Sequence, residues 1–299
     1  MTTAGYCQTV PPSRLYRIVG DASQAYEARK VCDYYKDLNR EIQLEAVVDR
    51  PTSIEPSQPF GVYVNIRHTR EIERESGGFG RYLQNQNQGT SFYYNYGRPL
   101  ENYRDKFQDA ATKALQEHIE VISVTFQTEQ VTSLPLPEMG WRVTPYAYLL
   151  LKAKSPKVDR IPSIRLDLDF METSGYVILP VESPRVAVNC SGEKTSFRPF
   201  RDVKMTQILD ERQSADGKLI LEIKSTGHGL VPPVEQLIDF NSVPSFVVEK
   251  IDDQGLSVSR FDEESSAAGI ISERSSPVTL KAAGGLNALP ETLHFPKPN

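Results

Sequence analysis

The sequence predicts a mainly β chain, two β-sandwiches in tandem, the first carrying a loop-plus-helix insertion at about residues 73–117. Three observations predict it. Apolar and polar residues alternate in many short runs, the period of half-buried strands. Prolines and glycines punctuate the intervals between those runs. Helical period shows in only two stretches. Many short strands with few helices is the pattern of sandwich architectures. The 299 residues suggest two domains at ~150 residues per domain. The expected division is an N-terminal, partly helical segment over 1–40, a first sandwich with its insertion over 41–190, and a second sandwich over 196–299.

Residues 1–20 read as irregular, with Pro11 and Pro12 blocking regular structure. Residues 23–38 suit a helix capped by Ser23, with Tyr26, Val31, Tyr34, Tyr35 and Leu38 broadly on one side. At residue 41 the period changes. Ile42, Leu44 and Ala46 point one way, then Phe60, Val62, Val64 and Ile66 share a face across a turn carrying Pro51, Pro56 and Pro59. Residues 99–117 form the clearest helix, its stripe made by Leu100, Tyr103, Phe107, Ala110, Ala114 and Leu115. Strands follow at 119–126, 143–153, 163–170 and from 176 onward. After the polar "NCSGEKTSFRPF" linker, strands are expected near 202–210, 217–226, 246–252 and 256–262, with a last pair between 269 and 282.

Composition narrows the function classes. Apolar content of 39% and charged content of 24% suffice to bury cores and do not fit a disordered chain. A net charge of −5 weighs against nucleic acid, whose phosphates demand a basic face. Cys7, Cys32 and Cys190 lie far apart and form no CxxC, so neither a disulfide framework nor a zinc site is indicated. One bridge, such as Cys7 to Cys32, stays open for an oxidising compartment. No apolar run approaches the ~18 residues of a membrane span. The opening "MTTAGYCQTVPPSRLYRIVG" lacks the basic and apolar regions of a signal peptide. As printed, the chain is expected to be soluble and unexported.

Candidate chemistry is sparse. Asp167 and Asp169 in "RLDLDF" share one strand face, which suits a solvated acidic face better than a cation site. Asp262, Glu263 and Glu264 lack the spacing of a calcium loop and read as a charged loop tip. His68, His118, His228 and His294 form neither HExxH nor HxH. His228, between glycines in "STGHGLVPP", marks a bend after a strand; acid–base work would require His68, His118 or His228 to meet a carboxylate and a nucleophile in one cleft. "ESGGFG" lacks both phosphate-loop spacings, and its glycines are expected to supply positive φ in a turn. "NCS" at 189–191 is a formal glycosylation sequon. No cofactor and no metal are expected.

The stretch 73–99, "ERESGGFGRYLQNQNQGTSFYYNYGRP", is long for a loop inside a compact domain, and such loops are commonly functional. Arg81, Tyr82, Phe92, Tyr93, Tyr94, Tyr96 and Arg98 among Asn, Gln and Gly have the composition of an adaptable recognition surface. Two other readings stand beside it. The tyrosines pack the insertion onto the sandwich, or they stack bases of a single strand.

"LEAVVDRPTSIEPSQPFGVYVNI" resembles the opening of an immunoglobulin-like domain in the BatD-like, aerotolerance-type bacterial proteins. "VTPYAYLLLKAKSPKVDRIPSIRLDLDFMETSGYVILPVESPRVAV" resembles the closing strands of such a domain. "GKLILEIKSTGHGLVPPVEQLIDFNSVPSFVVEKI" and "LPETLHFPKP" resemble the early strands and the close of a second one. The resemblance spans 41–299 in pieces. Residues 73–117 and "ERSSPVTLKAAGG" depart from the pattern. It implies two tandem immunoglobulin-like sandwiches in a periplasmic or otherwise extracytoplasmic interaction protein. The implied partner is a von Willebrand A-domain protein, with MoxR-type ATPases in the same systems, or another envelope protein. Such proteins carry an export signal and a membrane helix, so this chain would be a soluble piece of a larger, membrane-anchored product, or a decayed or mis-started copy of one. The expected function is a non-enzymatic protein–protein interaction module. An adhesion or carbohydrate-binding module is the alternative, and a hydrolase with a dispersed His/carboxylate site is third.

Overall fold

The computed structural model describes residues 37–49, 54–56, 58–85, 103–128, 131–172, 175–190, 200–210, 212, 217–242, 245–262, 269–284 and 297–298. The chain divides into two units, Met1–Thr195 and Ser196–Asn299. It is mainly β, with a multistranded antiparallel sheet in each unit, consistent with β-sandwich architecture.

The sheet of the first unit is built from β1 (Ile42–Asp49), β2 (Pro59–Thr69), β3 (Ile119–Phe126), β4 (Leu134–Pro135) and β5 (Trp141–Ala153). Their order is β1-β2-β5-β3, with β4 pairing the start of β5. Alternation sets the faces. Ile42, Leu44 and Ala46 of β1, with Phe60, Val62, Val64 and Ile66 of β2, enter the core. Central β5 is buried on both faces from Thr144 to Leu151, which explains its unbroken apolar run. The described residues of this unit include the helices α1 (Arg70–Glu75), α2 (Phe79–Asn85) and α3 (Tyr103–Leu115). The hairpin of β7 (Arg165–Glu172) and β8 (Gly175–Glu182) joins the same core, α3 packing against β3 and β7 and β8 against β1. β6 (Arg160–Ile161) and β9 (Val186–Ala187) pair with one another.

The second unit holds β10 (Arg201–Asp210), β11 (Lys218–His228), the one-turn helix α4 (Val234–Leu237), β12 (Ile238–Asp239), β13 (Phe246–Ile251), β14 (Leu256–Asp262), β15 (Gly269–Ala282) and β16 (Lys297–Pro298). The sheet order is β10-β11-β15-β13, with β14 pairing the first half of β15 and β13 the second. β12 pairs with β16. Leu219, Leu221 and Ile223 of β11 face the core, as do Ile270, Val278 and Leu280 of β15.

Three local expectations change. Residues 269–282 are one strand, not a pair. The segment read as an aperiodic loop opens with α1 and α2. The stripe of α3 is Arg104, Phe107, Ala111 and Leu115, one step round from the expected Ala110 and Ala114, because Arg104 is drawn inward by partners on α2 and β3. The N-terminal segment 1–36, with its expected helix, lies outside the described residues, as does the linker 191–199.

Candidate functional site

The described part of the insertion is fastened at its base. Thr69, the last residue of β2, caps α1 by accepting a hydrogen bond from the Glu71 amide at 3.3 Å. Gly77 and Gly78 then reverse the chain at φ 67° and 107°, the left-handed turn expected of "ESGGFG". Glu73 accepts a hydrogen bond from the Phe79 amide at 3.0 Å, placing a carboxylate at the start of α2. At Gly80 a Cβ would stand 2.8 Å from the Val131 carbonyl, so glycine lets α2 lie against that segment.

Beneath these helices lies a buried polar chain. His68 Nε2 is 2.9 Å from Thr144 Oγ1, which is 2.6 Å from Ser133 Oγ. Arg142 Nη2 donates to the Ser133 carbonyl at 2.7 Å. Glu73 Oε1 lies 3.9 Å from His68 Nδ1 and 4.0 Å from Arg142 Nε. Neither of those nitrogens has a hydrogen-bond partner among the described residues. The β2–β5 register creates this meeting by setting His68 opposite Arg142 and Ile66 opposite Thr144. Burial holds the His68 imidazole below its ordinary pKa; the Glu73 carboxylate opposes that shift, and the Arg142 charge adds to it. His68 is therefore neutral at neutral pH.

A hydroxyl, an imidazole and a carboxylate in sequence have the residue types of a nucleophilic triad. The packing denies access. His68 and Thr144 are both fully buried, and the Phe79 ring covers His68 at 4.5 Å between centroids. Tyr82 stacks on Phe79 at 5.8 Å. From α3, Arg104 Nη2 donates to the Leu83 carbonyl at 3.2 Å while its guanidinium lies over Phe126, and burial lowers its pKa. The network clamps α1 and α2 to the sheet. Of the recognition residues read from the sequence, Arg81 is exposed on α2 and Tyr82 is half-buried beside it. Phe92, Tyr93, Tyr94, Tyr96 and Arg98 lie outside the described residues.

The other histidines also meet carboxylates, separately. His118 Nε2 is 3.7 Å from its neighbour Glu117, and both side chains are exposed. In the second unit, His228 Nδ1 is 2.9 Å from Asp262 Oδ2. The Asp262 side chain is only 3% exposed and that of His228 27%, and Arg201 Nη2 lies 3.8 Å from the same oxygen. Glu263, Glu264 and His294 lie outside the described residues. Asp167, expected on a solvated face, is half-buried; it accepts from Arg165 Nε at 2.7 Å and lies 3.5 Å from Lys106 Nζ. Cys190 is buried, its thiol donating to the Ser155 carbonyl at 3.6 Å. Among the described residues no group of three or more His, Cys, Asp or Glu side chains is arranged to hold a metal ion. No described helix is long and apolar enough to cross a membrane.

Sequence reasoning found His68, His118 and His228 as candidates and missed Glu73, Ser133, Arg142, Thr144 and the partner role of Asp262. None of these carries a local motif; strand register, the α1 turn after β2 and the segment before β4 assemble them. Compared with protein-family models, curated proteins and solved structures, the chain matches none.

Proposed function

We propose that the chain is a non-enzymatic protein–protein interaction module of a bacterial envelope-associated system. In this reading its units are immunoglobulin-like sandwiches, its relatives the BatD-like proteins, and its partner a von Willebrand A-domain or other envelope protein. The observation that carries the reading is the clamp under α1 and α2. A chain of fully buried His68 and Thr144 and part-buried Ser133, capped by Phe79, fixes a short helix that holds Arg81 in solvent. Rigid support beneath a surface element lowers the ordering cost of binding, the condition for a preorganised recognition site. Arg81 and Tyr82 also precede the tyrosine-rich sequence 92–96 in the same stretch of chain.

The test is a pull-down from the envelope extract of the source bacterium. Wild type is compared with an Arg81→Glu, Tyr93→Ala, Tyr94→Ala, Tyr96→Ala variant whose circular dichroism matches it. The expected outcome is capture of a von Willebrand A-domain protein by wild type and its loss with the variant. Capture of that protein by both would move recognition away from the insertion, and capture of none would remove the reading's support.

One observation favours a second reading, a hydrolase. His228 is partly open to solvent and oriented through Nδ1 by a nearly buried carboxylate, the arrangement of an oriented general base. Hydrolysis of activated esters that disappears in His228→Gln would support it.

A further inference from the structure

His228 has one ring nitrogen fixed and the other open. It ends β11, and its Nδ1 lies 2.9 Å from Oδ2 of Asp262, the last residue of β14. A carboxylate can only accept, so in the neutral ring Nδ1 carries the proton and Nε2 keeps its lone pair. Nε2 makes no hydrogen bond among the described residues and is not buried. The other described histidines differ. His68 spends Nε2 on Thr144 beneath the Phe79 ring, and His118 turns Nε2 toward the Glu117 carboxylate at 3.7 Å. No described hydroxyl bonds to His228 Nε2, as a base-activated serine would, so the nucleophile this site presents is the imidazole itself.

Strand register gathers cations around that nitrogen. Arg201 of β10 is the cross-strand partner of His228, and its Nη2 lies 3.8 Å from the same Asp262 oxygen. His228 and Arg260 both pair with Ile271, so Arg260 of β14 stands in the same row and on the same face, two strand spacings or about 10 Å away. Lys204, opposite Thr226, occupies that face one row back. All three cations are exposed. The carboxylates beside them are Asp262, Asp202 at 4.0 Å from Arg201 Nε, and Glu273, which Lys224 holds at 2.9 Å. Guanidinium groups beside an open nucleophile suit a phosphate-bearing electrophile, because one arginine can donate two parallel N–H bonds to its oxygens.

We infer that His228 is a phosphoryl-acceptor site for a small acyl phosphate, whose phosphate oxygens Arg201 and Arg260 hold. The Nε2 lone pair forms the N–P bond while the P–O bond to the acyl group breaks, and the carboxylate leaves with that electron pair. The Nδ1 proton stays on the ring. Asp262 is a positioning residue: it fixes the tautomer and balances the positive charge that the imidazole acquires. The step uses the same pair as the hydrolase reading without resting on it, since a general base takes a proton from water and here Nε2 takes phosphorus.

The test incubates the full chain with acetyl phosphate and follows intact mass and peptide mapping. The expected product is a single phosphoryl group on His228, stable in alkali and lost in acid, as an N–P bond is. His118 is the internal control, because its side chain is the more exposed, 59% against 27%, and undirected chemistry would label it at least as fast. Asp262→Asn should slow labelling of His228 about tenfold or more while His118 keeps its rate, a contrast that general loss of structure would not produce. Arg201→Ala with Arg260→Ala should slow labelling by acetyl phosphate about tenfold or more, yet leave modification of His228 by uncharged diethyl pyrocarbonate unchanged. Circular dichroism confirms the fold of each variant. Labelling of His118 as readily as His228, labelling indifferent to Asp262→Asn, or no alkali-stable phosphate would overturn the inference. Hydrolysis of activated esters without a phosphoryl adduct would keep the hydrolase reading and refute this one; an adduct on a chain inactive toward esters would do the reverse.

Discussion

Replacing Gly61 with alanine should unfold the first unit more easily than most single changes on its sheet. Tyr148 starts on β5, opposite Tyr63 of β2, and is fully buried. Its side chain passes over the bare backbone of Gly61 and donates a hydrogen bond to Asp49 Oδ2 on β1 at 2.8 Å. The side chain thus ties three adjacent strands, and the Tyr63 ring meets its ring edge-on at 4.8 Å. A Cβ at Gly61 would stand 1.6 Å from the Tyr148 hydroxyl oxygen and 2.2 Å from Cζ. No rotamer adjustment of a few tenths of an ångström relieves that overlap, so the ring must leave its place.

The magnitude follows from what the displacement removes. Overpacking in a close-packed layer costs about 1–3 kcal/mol, and a lost hydrogen bond to a charged acceptor about 1.5–3 kcal/mol. Exchanging a strand glycine for alanine returns about 0.5–1 kcal/mol. The net expectation is a destabilisation of about 2–4 kcal/mol, or about 1–2 M in urea midpoint at an m value near 2 kcal/mol/M. The chain's single tryptophan is Trp141, on β5 itself, so its fluorescence reports this unit. Tyr148→Leu removes the clashing atoms; in that background Gly61→Ala should cost less than half as much. Equal cost in both backgrounds, or a neutral Gly61→Ala, would refute the reasoning.

Two further outcomes are expected. His68 in the fold is held below its ordinary pKa, chiefly by burial, so the unfolded chain binds a proton that the folded chain resists. Its contribution to stability is complete above the unfolded pKa and declines as pH falls below about 6.5. Wild type should therefore lose more stability between about pH 8 and about pH 5 than His68→Gln, followed by Trp141 fluorescence in urea; identical pH dependence would show that His68 does not resist protonation. Elemental analysis of protein purified without chelator should show no stoichiometric transition metal, and one zinc per chain would contradict that expectation.

Much of the sheet framework is legible from alternation and punctuation because the core faces of β1, β2 and β11 are mostly apolar, broken only near strand ends by His68 and Ser225. β15 is not legible for a specific reason. Its inward face carries Ser272, Arg274 and Ser276 before Val278, and Pro277 sits at the polar stretch, so the run reads as two strands and a turn. Residues 275–277 lie between the parts paired with β14 and β13, where the 252–255 turn supplies partners: the Asp252 amide donates to the Pro277 carbonyl at 2.9 Å and the Gln254 amide to Ser275 at 3.0 Å. A proline is tolerated where its nitrogen owes the ladder nothing. α1 and α2 are too short to show a period, and their stability comes from caps and from the clamp below. Arg104 shifts the α3 stripe because a guanidinium with a carbonyl acceptor and an aromatic face can be buried, which residue type alone does not announce.

The histidines show why a candidate site is harder to read than a sheet. In the sequence they look scattered and without partners, yet His68, His118 and His228 each lie within 4 Å of a carboxylate. Proximity therefore discriminates nothing, and solvent access does. His68 has the fullest set of triad-like neighbours and no opening, so its network serves to hold α1 and α2. His118 shares open solvent with its chain neighbour. Among the described histidines, His228 alone combines a nearly buried carboxylate with an imidazole that solvent reaches. The proposed recognition at α2 and the alternative hydrolysis at His228 would use different units, so Arg81→Glu and His228→Gln should not impair each other's readout. A single variant that abolished both would mean that neither residue acts through its own site.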